Sequence, residues 1–174
     1  MTTLPAGGAR PLQRETLAPV SLPRVVLGPG EGLRLQSGPG RDLVFKANGD
    51  QTAGRFDYFI VEVAPRGGPP LHVHHLQDET IHVLKGRFKV RIGDDLFHLE
   101  PGGFAYLPAD VPHAFLNLTD EPAELIVVYV PGGGHRFYAE MGPLARAATP
   151  DRGAIAAVFT RHGMTLLGPP LTAD

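Results

Sequence analysis

The chain has 174 residues, with 16 basic and 18 acidic side chains, a net charge of -2 and no cysteine. The charges form no long runs, so no phosphate-binding stripe or polybasic membrane patch is present, and nucleic acid is not an expected partner. The missing cysteines exclude disulfides, zinc–thiolate sites and thiol nucleophiles, and leave His, Asp and Glu as the strong metal ligands.

No segment approaches the roughly 18 apolar residues of a membrane span, and the N-terminus lacks the apolar stretch of a signal peptide. A cytoplasmic protein of one domain is the expectation. The 22 glycines and 18 prolines are about twice the usual share, and they fall between short apolar runs, which punctuates an all-β chain.

Residues 1–23 hold four prolines and little periodicity, which predicts a loosely ordered arm that packs on the body or on a second subunit. Residues 24–134 alternate strand-like runs with turns: "RVVLGPGEG", "GLRLQSGPG", "DLVFKANGD", "RFDYFIVEVAPRGGPP", and onward to "AELIVVYVPGGG". Roughly ten short strands at near-regular spacing predict a sandwich, barrel or jelly roll. The Asn-Gly pair of "ANGD" predicts a tight hairpin turn. Residues 135–174 change texture: Pro150 interrupts, Asp151 is a helix N-cap, Ile155, Ala156 and Phe159 follow at helical spacing, and Gly163 is a stop. This predicts a tail of short helices packed on the β body.

The stretch "LHVHHLQDETIHVLKG", residues 71–86, holds four of the eight histidines. Side chains two apart on a strand share a face about 7 Å apart, so His72 and His74 project together. His75 is out of phase with them and becomes a ligand only if the strand slips. Leu76, Gln77 and Asp78 read as a turn that returns the Glu79 carboxylate to the pair. Glu79, Ile81 and Val83 then share a face and His82 points away. A further ligand is available in "PADVPHAFLN", where His113 is in phase with Phe115 and Asn117. Three neutral imidazoles and a carboxylate suit a divalent iron, manganese, cobalt, nickel, copper or zinc ion, one per chain, with open positions for water, dioxygen or substrate.

These residues resemble the cupin family. Its first motif, Gly-x5-His-x-His-x4-Glu-x6-Gly in the longer of its two spacings, is matched by His72, His74, Glu79 and Gly86, with Arg66 where the opening glycine falls. Its second, Gly-x5-Pro-x-Gly-x2-His-x3-Asn, is matched by Gly102, Pro108, His113 and Asn117, with Asp110 in place of the internal glycine. "TAGRFDYFIVEVAPRGGPPLHVHH", "VPHAFLNLTDEPAELIVVYVPGGG" and "HGMTLLGPPL" are similar to the bacterial quercetin 2,3-dioxygenase-like cupins of one domain.

The resemblance implies a jelly-roll barrel, or double-stranded β-helix, with His72, His74, Glu79 and His113 as metal ligands. It also implies a homodimer and a dioxygenase acting on a flavonol or related enolic or aromatic small molecule, with Glu79 as a general base. Two alternatives stay open. One is another metal-cupin reaction, such as isomerisation, decarboxylation or oxidation of a small polar compound; the other is a non-catalytic module that binds a small ligand. Ile81, Val83, Phe115, Phe59 and Tyr106 are candidate pocket residues, while the other aromatics fill the barrel. His98, His135 and His162 are read as surface or satisfied core histidines, and Asp94 and Asp95 as a solvated turn.

Overall fold

The computed structural model describes residues 22–38 and 41–173, so the arm expected at 1–23 lies outside it except for its last two residues. The strands are β1 (Leu33–Gln36), β2 (Arg41–Ala47), β3 (Asp57–Val63), β4 (Pro70–His74), β5 (Asp78–Lys85) and β6 (Phe88–Ile92), followed by β7 (Asp95–Leu99), β8 (Phe104–Leu107), β9 (His113–Asn117) and β10 (Ala123–Val130). Helices α1 (Gly134–Ala145) and α2 (Arg152–Arg161) precede a last strand, β11 (Met164–Pro170).

The strands form two antiparallel sheets, ordered β1-β2-β3-β10-β5-β8 and β11-β4-β9-β6-β7. This is the jelly roll expected of the strand pattern. Period-two alternation sends Phe59, Val61 and Val63 of β3 and Leu125, Val127 and Tyr129 of β10 inward, because a half-buried strand hides every second side chain. They meet Phe88, Val90 and Phe115 of the opposite sheet in one core.

Two sequence expectations for the early chain fail. Among the described residues Arg24–Leu27 has no strand partner and leaves Val26 92 % exposed, and the first ladder begins only at Leu33, paired with Phe45. The Asn-Gly pair does not close a tight hairpin. It opens a longer loop, residues 48–56, in which Asn48 Oδ1 accepts from the N–H groups of Asp50 and Gln51. Tertiary contact decides this: a side chain on Gly49 would stand 2.8 Å from the Gly133 backbone nitrogen, so the loop is moulded to the start of α1.

Asp57 organises that junction. Its carboxylate, fully buried, accepts from Gly49 N at 2.6 Å, Gly133 N at 2.9 Å and Gly134 N at 2.6 Å. A negative charge is stabilised there by the free N–H groups and dipole of the α1 N-terminus. Helix α2 starts as the sequence predicts, with Asp151 accepting from Gly153 N and Ala154 N. The tail, however, is not helical to its end. After Gly163, whose φ is +68°, the chain runs back as β11, setting Met164 against His74 and Leu166 against His72. This covers the edge of β4, which would otherwise expose a row of unpaired backbone groups. The helices bury Phe137, Met141, Val158 and Phe159 with Met164 in a second core; Val158, not the exposed Ala156, is the inward partner of Phe159.

His75 acquires a structural task. It hydrogen-bonds Asp110 through Nδ1 at 2.7 Å and Thr165 through Nε2 at 3.0 Å, tying the end of β4 to the turn before β9 and to β11. Asp110 and Arg66 stand where the cupin pattern has glycine, and both keep the backbone that glycine would supply, with φ of +62° and +56°. Asp tolerates this left-handed region better than most residues.

Asp57→Ala should strand three N–H groups and lower unfolding free energy by about 3 kcal/mol, measured by urea denaturation. His75→Ala should leave the sheets intact and accelerate amide exchange in β11 by roughly fivefold, the equivalent of one lost hydrogen bond of about 1 kcal/mol.

Candidate metal centre

The strand pairing assembles a buried polar cluster. His72 lies directly across from His113 where β4 meets β9, and His74 follows two residues on, on the same face. Their rings stand 4.6 Å (His72 to His113), 5.0 Å (His72 to His74) and 5.2 Å (His74 to His113) apart. Glu79 comes from the facing sheet, at the start of β5. Its Oε2 lies 3.2 Å from His113 Nε2 and 3.7 Å from His74 Nε2. One ligand atom from each of the four residues falls within 4.8 Å of the other three, and all four residues are buried.

Hydrogen bonding orients the rings. His72 Nδ1 donates to the Pro70 carbonyl at 2.9 Å and His113 Nδ1 to the Val111 carbonyl at 2.9 Å, which fixes the tautomer and leaves each Nε2 lone pair turned inward. His113 Nε2 and both nitrogens of His74 are buried without a hydrogen-bond partner among the described residues. Buried polar atoms are normally satisfied, so an inward set of bare nitrogens beside a carboxylate fits a cation. Burial, reinforced by the charges of His113 and His74, holds His72 well below the ordinary imidazole range. Burial also lowers His74 to about 4, against the opposing pull of Glu79. Both are therefore neutral at pH 7, the form that ligates. Burial pushes His113 down as well, but the Glu79 carboxylate outweighs it and the net shift is upward.

The cluster opens on a cavity of about 240 Å³ between the sheets. Phe115, a predicted pocket residue, lines it. The other four do not. Ile81 and Val83 continue along β5 away from Glu79, about 7 Å per pair of residues, and are sealed in the core. Phe59 stacks on Phe45 with ring centroids 4.4 Å apart, behind Tyr129. Tyr106 is 51 % exposed on β8, paired with Thr80, because it sits in the outward phase of an edge strand.

Three groups missed in the sequence complete the cavity: Arg41 of β2, the Tyr129–Tyr138 pair, and an apolar wall of Phe137, Met141, Phe159 and Met164 from the tail. The two tyrosine hydroxyls share a hydrogen bond of 2.7 Å. Burial and the nearby Glu79 charge raise both, Tyr138 to about 12, so both remain protonated. Arg41 and Tyr129 carried a signal, since each shares its strand phase with buried apolar residues, Leu43 and Phe45 or Leu125 and Val127. The helical wall carried none, because it depends on where the tail docks.

Protein purified without a histidine tag should contain about one transition-metal ion per chain, and chelation should lower its melting temperature by mass action. His74→Ala should cut metal affinity by at least about 100-fold, read by competition with a chromophoric chelator.

Residues 59–129 match the family described as the cupin domain. The chain is 29% identical over 132 residues to quercetin 2,3-dioxygenase of Bacillus subtilis, covering 74% of this chain and 39% of that protein. It spans between two fifths and about half of the length of the curated relatives it matches. Among solved structures, an RmlC-like cupin from Shewanella frigidimarina superposes with a TM-score of 0.57 at 16% identity, covering 66% of this chain and 96% of that one. KdgF from Halomonas sp. superposes with a TM-score of 0.54 at 18% identity, covering 60% and 90%. Those identities speak to fold alone. With the strand order, the motif residues and the family match in agreement, residues 59–129 are a cupin domain and the chain is built on the cupin fold.

Proposed function

We propose that this chain is a metal-dependent oxygenase that acts on a small enolic or catechol-like molecule. The observation that supports this reading is the set of bare, buried nitrogens of His74 and His113, beside Glu79 and His72, at the wall of an apolar cavity. The likeness to quercetin 2,3-dioxygenase supports the reaction type. His72, His74, Glu79 and His113 would hold one divalent ion, with iron, manganese, cobalt, nickel, copper and zinc all compatible with the donor set. When bound, such an ion supplies Lewis acidity toward a substrate oxygen and a common site for substrate and dioxygen.

The chain's own residues do the rest. Phe115, Phe137 and Phe159 exclude water from the reacting face and fix the plane of a ring. A Glu79 oxygen takes the proton of the substrate hydroxyl as the enolate forms, the step of a general base. Volume sets the substrate's size. At about 240 Å³ the cavity falls below the usual range for drug-sized ligands, about 300–1,000 Å³, which favours a one-ring compound over a flavonol. The same enclosure supports a second reading, a decarboxylase or isomerase of a small polar compound, with a non-catalytic binding module as the remaining possibility.

We further propose a homodimer working in the cytoplasm. Leu96, Phe97, Phe104 and Tyr106 stand exposed on β7 and β8, the terminal strands of the two sheets, and a second copy would cover them. A monomeric profile in size-exclusion chromatography would remove that assembly.

Oxygen uptake by metal-loaded protein should be measured with a flavonol, a catechol and a small diketone. Uptake with a one-ring compound is expected, and Glu79→Gln should lower turnover by about 10²–10⁴-fold in preparations matched for metal. Full turnover in that variant would end the general-base role, and no uptake with any compound would leave the second reading in its place.

A further inference from the structure

Arg41 is the one charged side chain in the cavity lining besides Glu79, among the described residues. It enters from β2 in the same phase as Leu43 and Phe45, both buried, so the strand alternation drives a cation into a space lined mainly by apolar groups. Its Nε hydrogen-bonds Ser37 Oγ, and its Nη2 donates to the Ser37 carbonyl at 3.4 Å. These are neutral acceptors. Among the described residues no carboxylate lies within ion-pair distance of it and its Nη1 has no acceptor. The charge of Glu79 reaches it through space, but Glu79 is turned to His74 and His113.

Arg41 is half-buried, and a guanidinium partly withdrawn from water without a counter-ion among the described residues is costly. The fork donates through five N–H groups in a plane matched to a carboxylate, and Ser37 occupies only one edge. Beside it stands a further donor. Of the two hydroxyl hydrogens of Tyr129 and Tyr138, one forms the bond between them and the other is left for a ligand. A bound divalent ion would add to the positive charge, since Glu79 offsets only part of it. The cavity as a whole is therefore built to receive an anion.

We infer that Arg41 is the specificity-determining residue of this cavity, and that the substrate is a small aromatic or enolic acid whose carboxylate seats on Arg41 while its hydroxyl or enol oxygen faces the histidine–glutamate cluster. This rests on the metal-enzyme reading for the orientation of the substrate. The anchoring of the carboxylate does not depend on the reaction that follows.

The test is isothermal titration of the full chain with matched pairs, benzoate against benzamide and protocatechuate against catechol. It is run on metal-loaded and on chelator-treated protein. The acid of each pair should bind at least about tenfold more tightly than its neutral partner in both preparations. Arg41→Met should erase that preference and leave the affinity for benzamide and catechol unchanged. Arg41→Lys should restore part of it, because the charge returns without the planar fork. Equal binding within the pairs by the unmodified chain, or no binding of either acid, overturns the inference without recourse to a variant. A preference that vanishes on chelation but survives in Arg41→Met overturns it too, since the carboxylate then goes to the ion, and the metal reading stands. A preference lost only in Arg41→Met, in protein that consumes no oxygen with any compound, upholds the inference and sinks the oxygenase reading instead.

Discussion

The organising constraint of this protein is the withdrawal from water of three imidazoles and a carboxylate at the seam between two sheets. Such groups are costly to bury unless each has a partner. The fold meets part of that demand with backbone carbonyls. Pro70 and Val111 accept from His72 and His113, each carbonyl lying two residues before its histidine. The rest of the demand, at His113 Nε2 and both nitrogens of His74, is unmet among the described residues, an arrangement that could hold a cation. Because two of the candidate ligands arise from β4, one from β9 and one from the opposite sheet, the cluster forms only when the sheets dock in this register. A slip of one residue on β4 would send His72 and His74 to the other face.

Much of the remaining structure holds those strand ends in place. Asn117, fully buried at the end of β9, donates to the carbonyls of Val63, Ala64 and Glu121 and accepts from Thr119, so the strand that carries His113 is tied to the end of β3. Gly86, with φ of +90°, lets β5 turn where a side chain would stand 2.4 Å from Ala123 Cβ. Asn117 and Gly86, motif residues outside the candidate ligand set, are thus tie and turn points. This explains how Arg66 and Asp110 can replace glycine there: what the site requires is the left-handed backbone, and both residues adopt it.

The legible part of the sequence was the part governed by period two. Alternation selected His72 and His74 over His75, returned Glu79 with Ile81 and Val83 on its face, and sent His82 outward. Alternation says which face a residue takes but not how far along the strand the cavity reaches, so it points Ile81 and Val83 toward a cavity that ends before them. Nor does it say which strands lie at an edge, which is what exposes Tyr106. The tail was legible in its helices, capped at Asp151 and stopped at Gly163. β11 was not, because its proline- and glycine-rich run becomes a strand only against β4. "ANGD" has strong local turn chemistry that the Asp57 carboxylate and the α1 N-terminus override.

That division has a functional consequence. The histidine–glutamate cluster comes from two neighbouring β segments and a third that pairs with one of them, whereas the cavity wall comes mainly from β2, β10, α1, α2 and β11, elements far apart in the chain, with Phe115 from β9. Only part of the wall is independent of the cluster, since β11 pairs with His74 and His72 and Phe159 lies edge-on to His72. The apolar face can be reshaped by exchanging Phe137 or Met141 without disturbing Pro70 or Val111, and the polar end by exchanging Arg41 or Tyr138. A cluster held rigidly by strand register beside a wall assembled from a docked tail is a physical basis for the variety of chemistry on one scaffold. The exchangeable wall carries a cation, Arg41, that has no counter-ion among the described residues, and that, more than the histidine–glutamate cluster, distinguishes what the cavity can accept.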